Sequence, residues 1–140
     1  MFFSTKAFAL IVASLTVATQ ASPTPEAAAE AQIGPTHIGD ATFYTPGLGS
    51  CGRTNNANEL VAAVASPVFD TFPGHTANPN NNPICGKTAV VTFGGKSVTV
   101  TIVDRCPGCG SGGIDLSPAA FQKLAPLSQG RLSGTKWTVQ

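Results

Sequence analysis

Four cysteines, Cys51, Cys85, Cys106 and Cys109, follow an apolar leader in this 140-residue chain, and no other feature narrows its folding options as much. Lys6 is the only charge ahead of the apolar stretch Ala7–Val17, and Ala18–Ala21 then supplies small residues suited to signal peptidase. The stretch is too short and too weakly flanked to span a bilayer as a helix. A basic start, an apolar centre and a small-residue exit define a secretory signal peptide over residues 1–21, with cleavage after Ala21 and a secreted, extracellular product free of the membrane. In an oxidising compartment an even cysteine count forms disulfides. Three pairings are open, and Cys51–Cys85 with Cys106–Cys109 is favoured. The first would close a long loop and stabilise the fold by about 3–4 kcal/mol through the unfolded chain. Cys106-Pro-Gly-Cys109 also has zinc-ligand spacing, but a four-thiolate site needs a second close pair, and Cys51 and Cys85 are far apart in sequence. A redox-active Cys-x-x-Cys would need a βαβ context that is missing around it. No metal and no cofactor is therefore expected.

Residues 22–36 begin with a run rich in Ala, Pro and Glu without apolar periodicity, the composition of a disordered linker or pro-segment. Residues 37–140 form one domain's worth of chain. Its basic residues do not cluster, which argues against nucleic acid as a partner. An uncharged surface rich in Asn and Gly suits a neutral polymer better than a polyanion. There is no Asn-x-Ser/Thr sequon.

Within the domain, Ile38–Tyr44 reads as a strand and Leu60–Ala65 as a short buried strand ended by Ser66-Pro67. Pro67–Phe72 reads as a helical turn with Val68, Phe69 and Phe72 facing inward. Pro73–Pro83 is a loop. The β-branched runs Thr88–Phe93 and Lys96–Val103 flank Gly94-Gly95 and read as a hairpin, with Val98, Val100 and Ile102 on one face and Asp104 ending the second strand. Arg105–Gly113 is a glycine-rich loop pinned by its cysteines. Ile114–Leu116 is a short extended piece. Ser117-Pro118 starts a helix, with Ser as N-cap and Pro in the first turn. Gly134–Val139 is a last strand. Short strands with one short helix point to a closed β-barrel.

In this order the residues Gly39–Tyr44, Ser50-Cys51-Gly52, Cys85-Gly86-Lys87, Val103–Pro107 and Ile114–Phe121 resemble the double-psi β-barrels of the expansins, barwin-like proteins and rare lipoprotein A-like proteins. The resemblance covers about Ile38 to Val139. The Cys-Pro-Gly-Cys version is similar to small secreted fungal proteins of this class. The resemblance implies an all-β, six-stranded double-psi β-barrel whose shallow groove binds extended polysaccharide. Tyr44, Asp104 and Asp115 fall on the groove positions.

The related glycoside hydrolases of family 45 place their general acid where Asp115 stands. Their general base follows the first-strand aromatic, where this chain has Thr45-Pro46 and no carboxylate. Glycoside hydrolysis ordinarily needs two carboxylates. Asp40 is read as preceding the first strand, at the wrong end, and Asp104 as a strand-ending residue that accepts backbone hydrogen bonds. Hydrolysis is thus disfavoured, and no catalytic residue is assigned unless it is Asp115. A lytic transglycosylase needs a single acid, so that route stays open. Asp115 also suits the helix that follows Ser117. Tyr44 suits either stacking on a sugar or core packing, and Trp137 suits the core. His75 is read as solvated and His37 as preceding the barrel.

The leading expectation is a monomeric, non-hydrolytic, expansin-like protein that binds or loosens cell-wall polysaccharide (cellulose, chitin or a related β-glycan). Expansins carry a second carbohydrate-binding domain. This chain stops after the barrel, so modest affinity is expected. The rival expectation is a protease inhibitor or host-directed effector that contacts a protein through the loops Thr45–Ser50, Pro73–Pro83 and Arg105–Gly113.

Overall fold

A computed structural model describes residues 34–140. The expected signal peptide over residues 1–21 and most of the expected linker lie outside the described residues. Six strands, β1 (Thr36–Phe43), β2 (Val61–Ala65), β3 (Thr88–Phe93), β4 (Lys96–Cys106), β5 (Ile114–Leu116) and β6 (Leu132–Val139), close into a barrel in the order β1-β5-β2-β4-β3-β6. Two short helices, α1 (Ser66–Asp70) and α2 (Pro118–Gln122), cover it. The six-stranded double-psi architecture implied by the resemblance is the one that forms.

The hairpin β3–β4 turns at Gly94-Gly95, whose φ angles of 56° and 79° are positive, as a two-residue turn of the primed type requires. Period-2 alternation then sends Val98, Val100 and Ile102 into the core beside Ala89 and Val91. The strand β2 is buried at all five positions. It lies between β4, which it pairs in parallel, and β5, which runs antiparallel to it. Its small residues fit this sandwiched position. Ala62 and Val64 face the core, joined there by Ile114, Leu116, Phe121 and Trp137.

Several boundaries differ from the sequence reading. β1 starts at Thr36, in the segment read as linker, and it includes His37, read as preceding the barrel. Both pair with β6: Thr36 opposite Thr138, with their hydroxyls 3.0 Å apart, and His37 opposite Trp137, with ring centroids 4.4 Å apart. Asp40 lies inside β1 rather than ahead of it, and Arg131 holds its carboxylate at 2.7 Å. β4 runs through Asp104 to Cys106, because its last residues still pair with Val64 and Ala65 of β2. The register shifts between Ala62 and Ala63, so Val103 is an extra residue opposite them, a bulge that re-aims the Asp104–Cys106 end of the strand.

Ser117 caps α2 by accepting a hydrogen bond from the Ala120 amide at 3.3 Å, and Pro118 occupies the first turn. The hydroxyl of Ser117 also donates to the Glu59 carbonyl, so the fully buried cap ties the helix to the start of β2.

Candidate functional site: an outward row of two aspartates

The register of four neighbouring strands builds one row. Thr42 of β1 is opposite Asp115 of β5, Asp115 is opposite Ala63 of β2, and Ala63 is opposite Asp104 of β4. Core residues flank three members of the row along their strands, Ala41 beside Thr42, Ile114 and Leu116 around Asp115, and Ala62 and Val64 around Ala63, while the bulge at Val103 brings Asp104 of β4 into register with Ala63. The row therefore faces away from the core. Asp104 and Asp115 stand two strands apart, about 9–10 Å between backbones, with only the methyl of Ala63 between their positions.

Each aspartate is held differently. Asp115 accepts a hydrogen bond from the Thr42 hydroxyl at 3.0 Å. Its half-buried carboxyl titrates above the usual aspartate range, first because of burial and then because Asp104 is a like charge; the Thr42 hydrogen bond opposes both. Asp104 accepts two backbone amides on one oxygen, from Ser50 and from Arg105, each at 2.8 Å. The expected backbone role of Asp104 is thus met partly from Arg105 and partly from the distant Ser50 loop. Gly49 makes that approach feasible, because a Cβ there would collide with the Val103 carbonyl oxygen and lie 3.2 Å from the Asp104 side chain.

Tyr44 follows β1, and its amide donates to the Leu116 carbonyl at 2.9 Å. Its phenol is pushed well above its ordinary range by burial, and further by the charges of Asp104 and then Asp115. The structure thus brings Tyr44, Asp104 and Asp115 within electrostatic reach of one another, and the phenol stays a hydrogen-bond donor across the working pH range. Trp137 is 1% exposed and donates its indole N–H to the Gly112 carbonyl at 2.8 Å, so it belongs to the core. His75 is exposed, with Nδ1 at 2.9 Å from the Phe72 carbonyl oxygen.

The disulfides are Cys51–Cys85 and Cys106–Cys109. The first ties the loop after Tyr44 to the segment that enters β3, and both sides are also fixed to β4: the Cys51 amide donates to the Val103 carbonyl and the Gly86 amide to that of Ile102. The second closes the glycine-rich loop beside Asp115. Among the described residues, ligand atoms of Cys106, Cys109 and Asp115 lie within 4.8 Å of one another. Both sulfurs are consumed in their mutual bond, so this trio offers a metal one carboxylate and no thiolate.

Next to Asp104 the Ser50 loop and the Asn-rich loop meet the end of β4. A cleft of about 420 Å³ is lined by Ser50, by His75, Pro79 and Asn82 of the Asn-rich loop, and by Asp70 and Arg105. Arg105 grips Asp70 with two hydrogen bonds, Nε at 2.7 Å and an Nη at 2.6 Å, which lock the end of β4 to the end of α1. This contact holds the exposed Asp70 carboxyl below its usual range. A larger cleft of about 520 Å³ lies elsewhere, between Pro35, His37, Val68, Phe72, Lys87 and Val139. None of Tyr44, Asp104 and Asp115 lines either cleft.

Sequence reasoning missed Thr42, Asp70 and Asn82. Asn82 is 4% exposed; its amide donates to the Phe69 carbonyl at 2.7 Å and its oxygen accepts from the Ile84 amide at 3.0 Å. Nothing local separates it from its exposed neighbours Asn80 and Asn81. Thr42 was detectable, since it stands two residues before Tyr44 in the expected first strand, on an alternating face.

Comparison with known proteins bears on the family and the fold. The family described as Lytic transglycolase matches residues 36–135. A papain inhibitor of Streptomyces mobaraensis is 38% identical over 133 residues, 94% of this chain and 88% of that protein. The solved structure of a Streptomyces papain inhibitor superposes with a TM-score of 0.68 at 38% identity, covering 76% of this chain and 94% of that one. A mutant expansin of Clavibacter michiganensis, solved with cellohexaose, superposes with a TM-score of 0.61 at 26% identity, covering 76% of this chain and 50% of the expansin. By barrel topology, the order of its sequence pieces and these likenesses, the chain belongs to the lytic transglycolase family of double-psi β-barrel proteins.

Proposed function

We propose that this protein is a secreted, monomeric inhibitor of papain-like cysteine proteases, acting through the rim formed by residues 45–50, 75–82 and 105–113. One observation carries the reading: Ser50, His75 and Pro79, from two loops, and Arg105, at the end of β4 where the third loop begins, meet around a single cleft. Each loop is fixed before any partner arrives, by Cys51–Cys85, by Cys106–Cys109 or by the buried Asn82. Pre-organised loops lose little conformational entropy on binding, which is what a tight inhibitor requires. The likeness to a papain inhibitor along most of both chains supports the same reading. The test is hydrolysis of a small chromogenic substrate by papain with the purified protein added. Dose-dependent inhibition at micromolar concentration or below is expected; unchanged activity at a large molar excess overturns the reading. Export is tested by sequencing the N-terminus of secreted material, which should begin near Ser22; a start at Met1 overturns it.

A second reading is favoured by the outward row. Thr42, Asp115 and Asp104, with Tyr44 beside them, offer donors and acceptors along one open face. Such a face suits the hydroxyls of a β-glycan, and the likeness to an expansin solved with cellohexaose supports this. The raised pKa of Asp115 also suits a single general acid. Retention on insoluble cellulose and chitin, with product release followed in the same tubes, tests it. Asp115→Ala should abolish retention and spare papain inhibition; no retention of the unaltered protein at low salt removes this reading.

A further inference from the structure

The loop after Tyr44 has a fixed base and a projecting tip. At the base, Pro46 is buried, the Gly49 amide donates to the Arg53 carbonyl at 2.9 Å, and the Asn55 amide donates to the Gly47 carbonyl at 3.1 Å. The Ser50 amide is bound to Asp104, and Cys51 is bonded to Cys85. An isolated bridge joins Leu48 to Thr54 across the loop. At the tip, Leu48 is 77% exposed, more than any other large apolar side chain among the described residues.

This combination is unusual. An exposed leucine on a flexible loop can fold back onto apolar surface; here the backbone is held on both sides and the side chain stays in water. The rigidity also removes most of the entropy that a partner would otherwise have to overcome in ordering the loop. Leu48 is two residues from Ser50, which lines the cleft where two loops meet the end of β4.

We infer that Leu48 is the anchor of the inhibitory rim, seating its isobutyl group in an apolar side-chain pocket of the protease cleft. The inference rests on the inhibitor reading above and names the contact through which that reading works. The flanking Gly47 and Gly49 add no side chains beside it, so a narrow cleft can admit the tip. Phe43 and Leu60, at 37% and 39% exposure, are much less available. Ile38, at 62%, lies in β1 against Gly112 and lines no part of the cleft that Ser50 and Arg105 share.

The experiment measures the inhibition constant for papain with the unaltered full chain and with Leu48→Ala, Leu48→Asp and Leu48→Met. Circular dichroism and thermal midpoints confirm that each variant is folded, which a solvent-facing position makes the expected result. Losing one seated leucine should raise the inhibition constant roughly 10- to 100-fold in Leu48→Ala. Leu48→Asp should raise it further, and Leu48→Met should stay within about threefold because volume and apolarity are kept. If the unaltered protein inhibits papain while Leu48→Ala and Leu48→Asp keep its inhibition constant, the anchor is wrong and the inhibitor reading stands. If the unaltered protein does not inhibit, both fall. Inhibition kept in Leu48→Ala with cellulose or chitin retention lost would also overturn the anchor, making Leu48 a sugar contact.

Discussion

Asp104 and Asp115 flank Ala63 on one outward row of the barrel, so each carboxylate lies within the field of the other while resting on different partners. Asp104 is built into the backbone through the Ser50 and Arg105 amides. Asp115 has one side-chain donor, Thr42. The two therefore differ in what they contribute to stability and to chemistry.

Asp115 should make the fold less stable as its charge develops. Its folded pKa lies above the ordinary aspartate value of 3.8, so its contribution is most favourable below about that pH and is lost as pH rises through the raised folded value. Asp115→Asn should match the unaltered protein near pH 3 and equal or exceed its thermal midpoint at pH 7, by up to a few degrees. Thermal unfolding across pH 3–8 checks this; a lower midpoint for Asp115→Asn at pH 7 than at pH 3, relative to the unaltered protein, contradicts it.

Asp104→Ala should behave in the opposite sense. It leaves the Ser50 and Arg105 amides without their acceptor, at a cost of about 1–3 kcal/mol. Hydrogen exchange at those two amides should accelerate, while exchange in β3 stays slow. Denaturant unfolding gives the first quantity and amide exchange by NMR the second.

Asn82→Ala removes a buried amide that serves both the Phe69 carbonyl and the Ile84 amide. The Ile84 amide is orphaned, while the Phe69 carbonyl keeps the Phe72 amide at 3.4 Å, so a loss of about 1–3 kcal/mol is expected. Asn80→Ala, on the exposed side of the same loop, should stay within about 0.5 kcal/mol. Equal losses in the two variants would refute the distinction.

The disulfides should contribute unequally. Cys51–Cys85 spans 34 residues and Cys106–Cys109 spans 3. Loop-closure entropy gives about 4 kcal/mol for the first and about 2 kcal/mol for the second. Replacing each pair with alanine and comparing urea midpoints tests the order. Papain inhibition should survive the loss of the first pair only if the fixed base of the Leu48 loop is dispensable.

Local signals carry much of the fold. Gly94-Gly95 between β-branched runs announces β3 and β4, and Ser117-Pro118 announces α2, because turns and caps are set by adjacent residues. The features that escape a local reading depend on partners far along the chain. Thr36 and His37 become strand only because Thr138 and Trp137 lie opposite, about a hundred residues later. β4 outruns Asp104 because β2 is still there to pair with it, and the bulge at Val103 has no local mark. The candidate site divides in the same way. Tyr44, Asp104 and Asp115 are legible through a family pattern. Thr42, the Asp70–Arg105 grip and the buried role of Asn82 come from strand register and loop packing, which residue type alone does not encode.

The closure of the barrel limits how any partner can be held. In the closed order each of the six strands has a neighbour on either side, so among the described residues no strand stands wholly at an edge. A protease that binds its substrates by extending a strand finds no whole edge strand here. Recognition then falls mainly to side chains and loop tips, so partner choice can be altered by exchanging a few rim residues while the hydrogen-bonded frame beneath them stays the same.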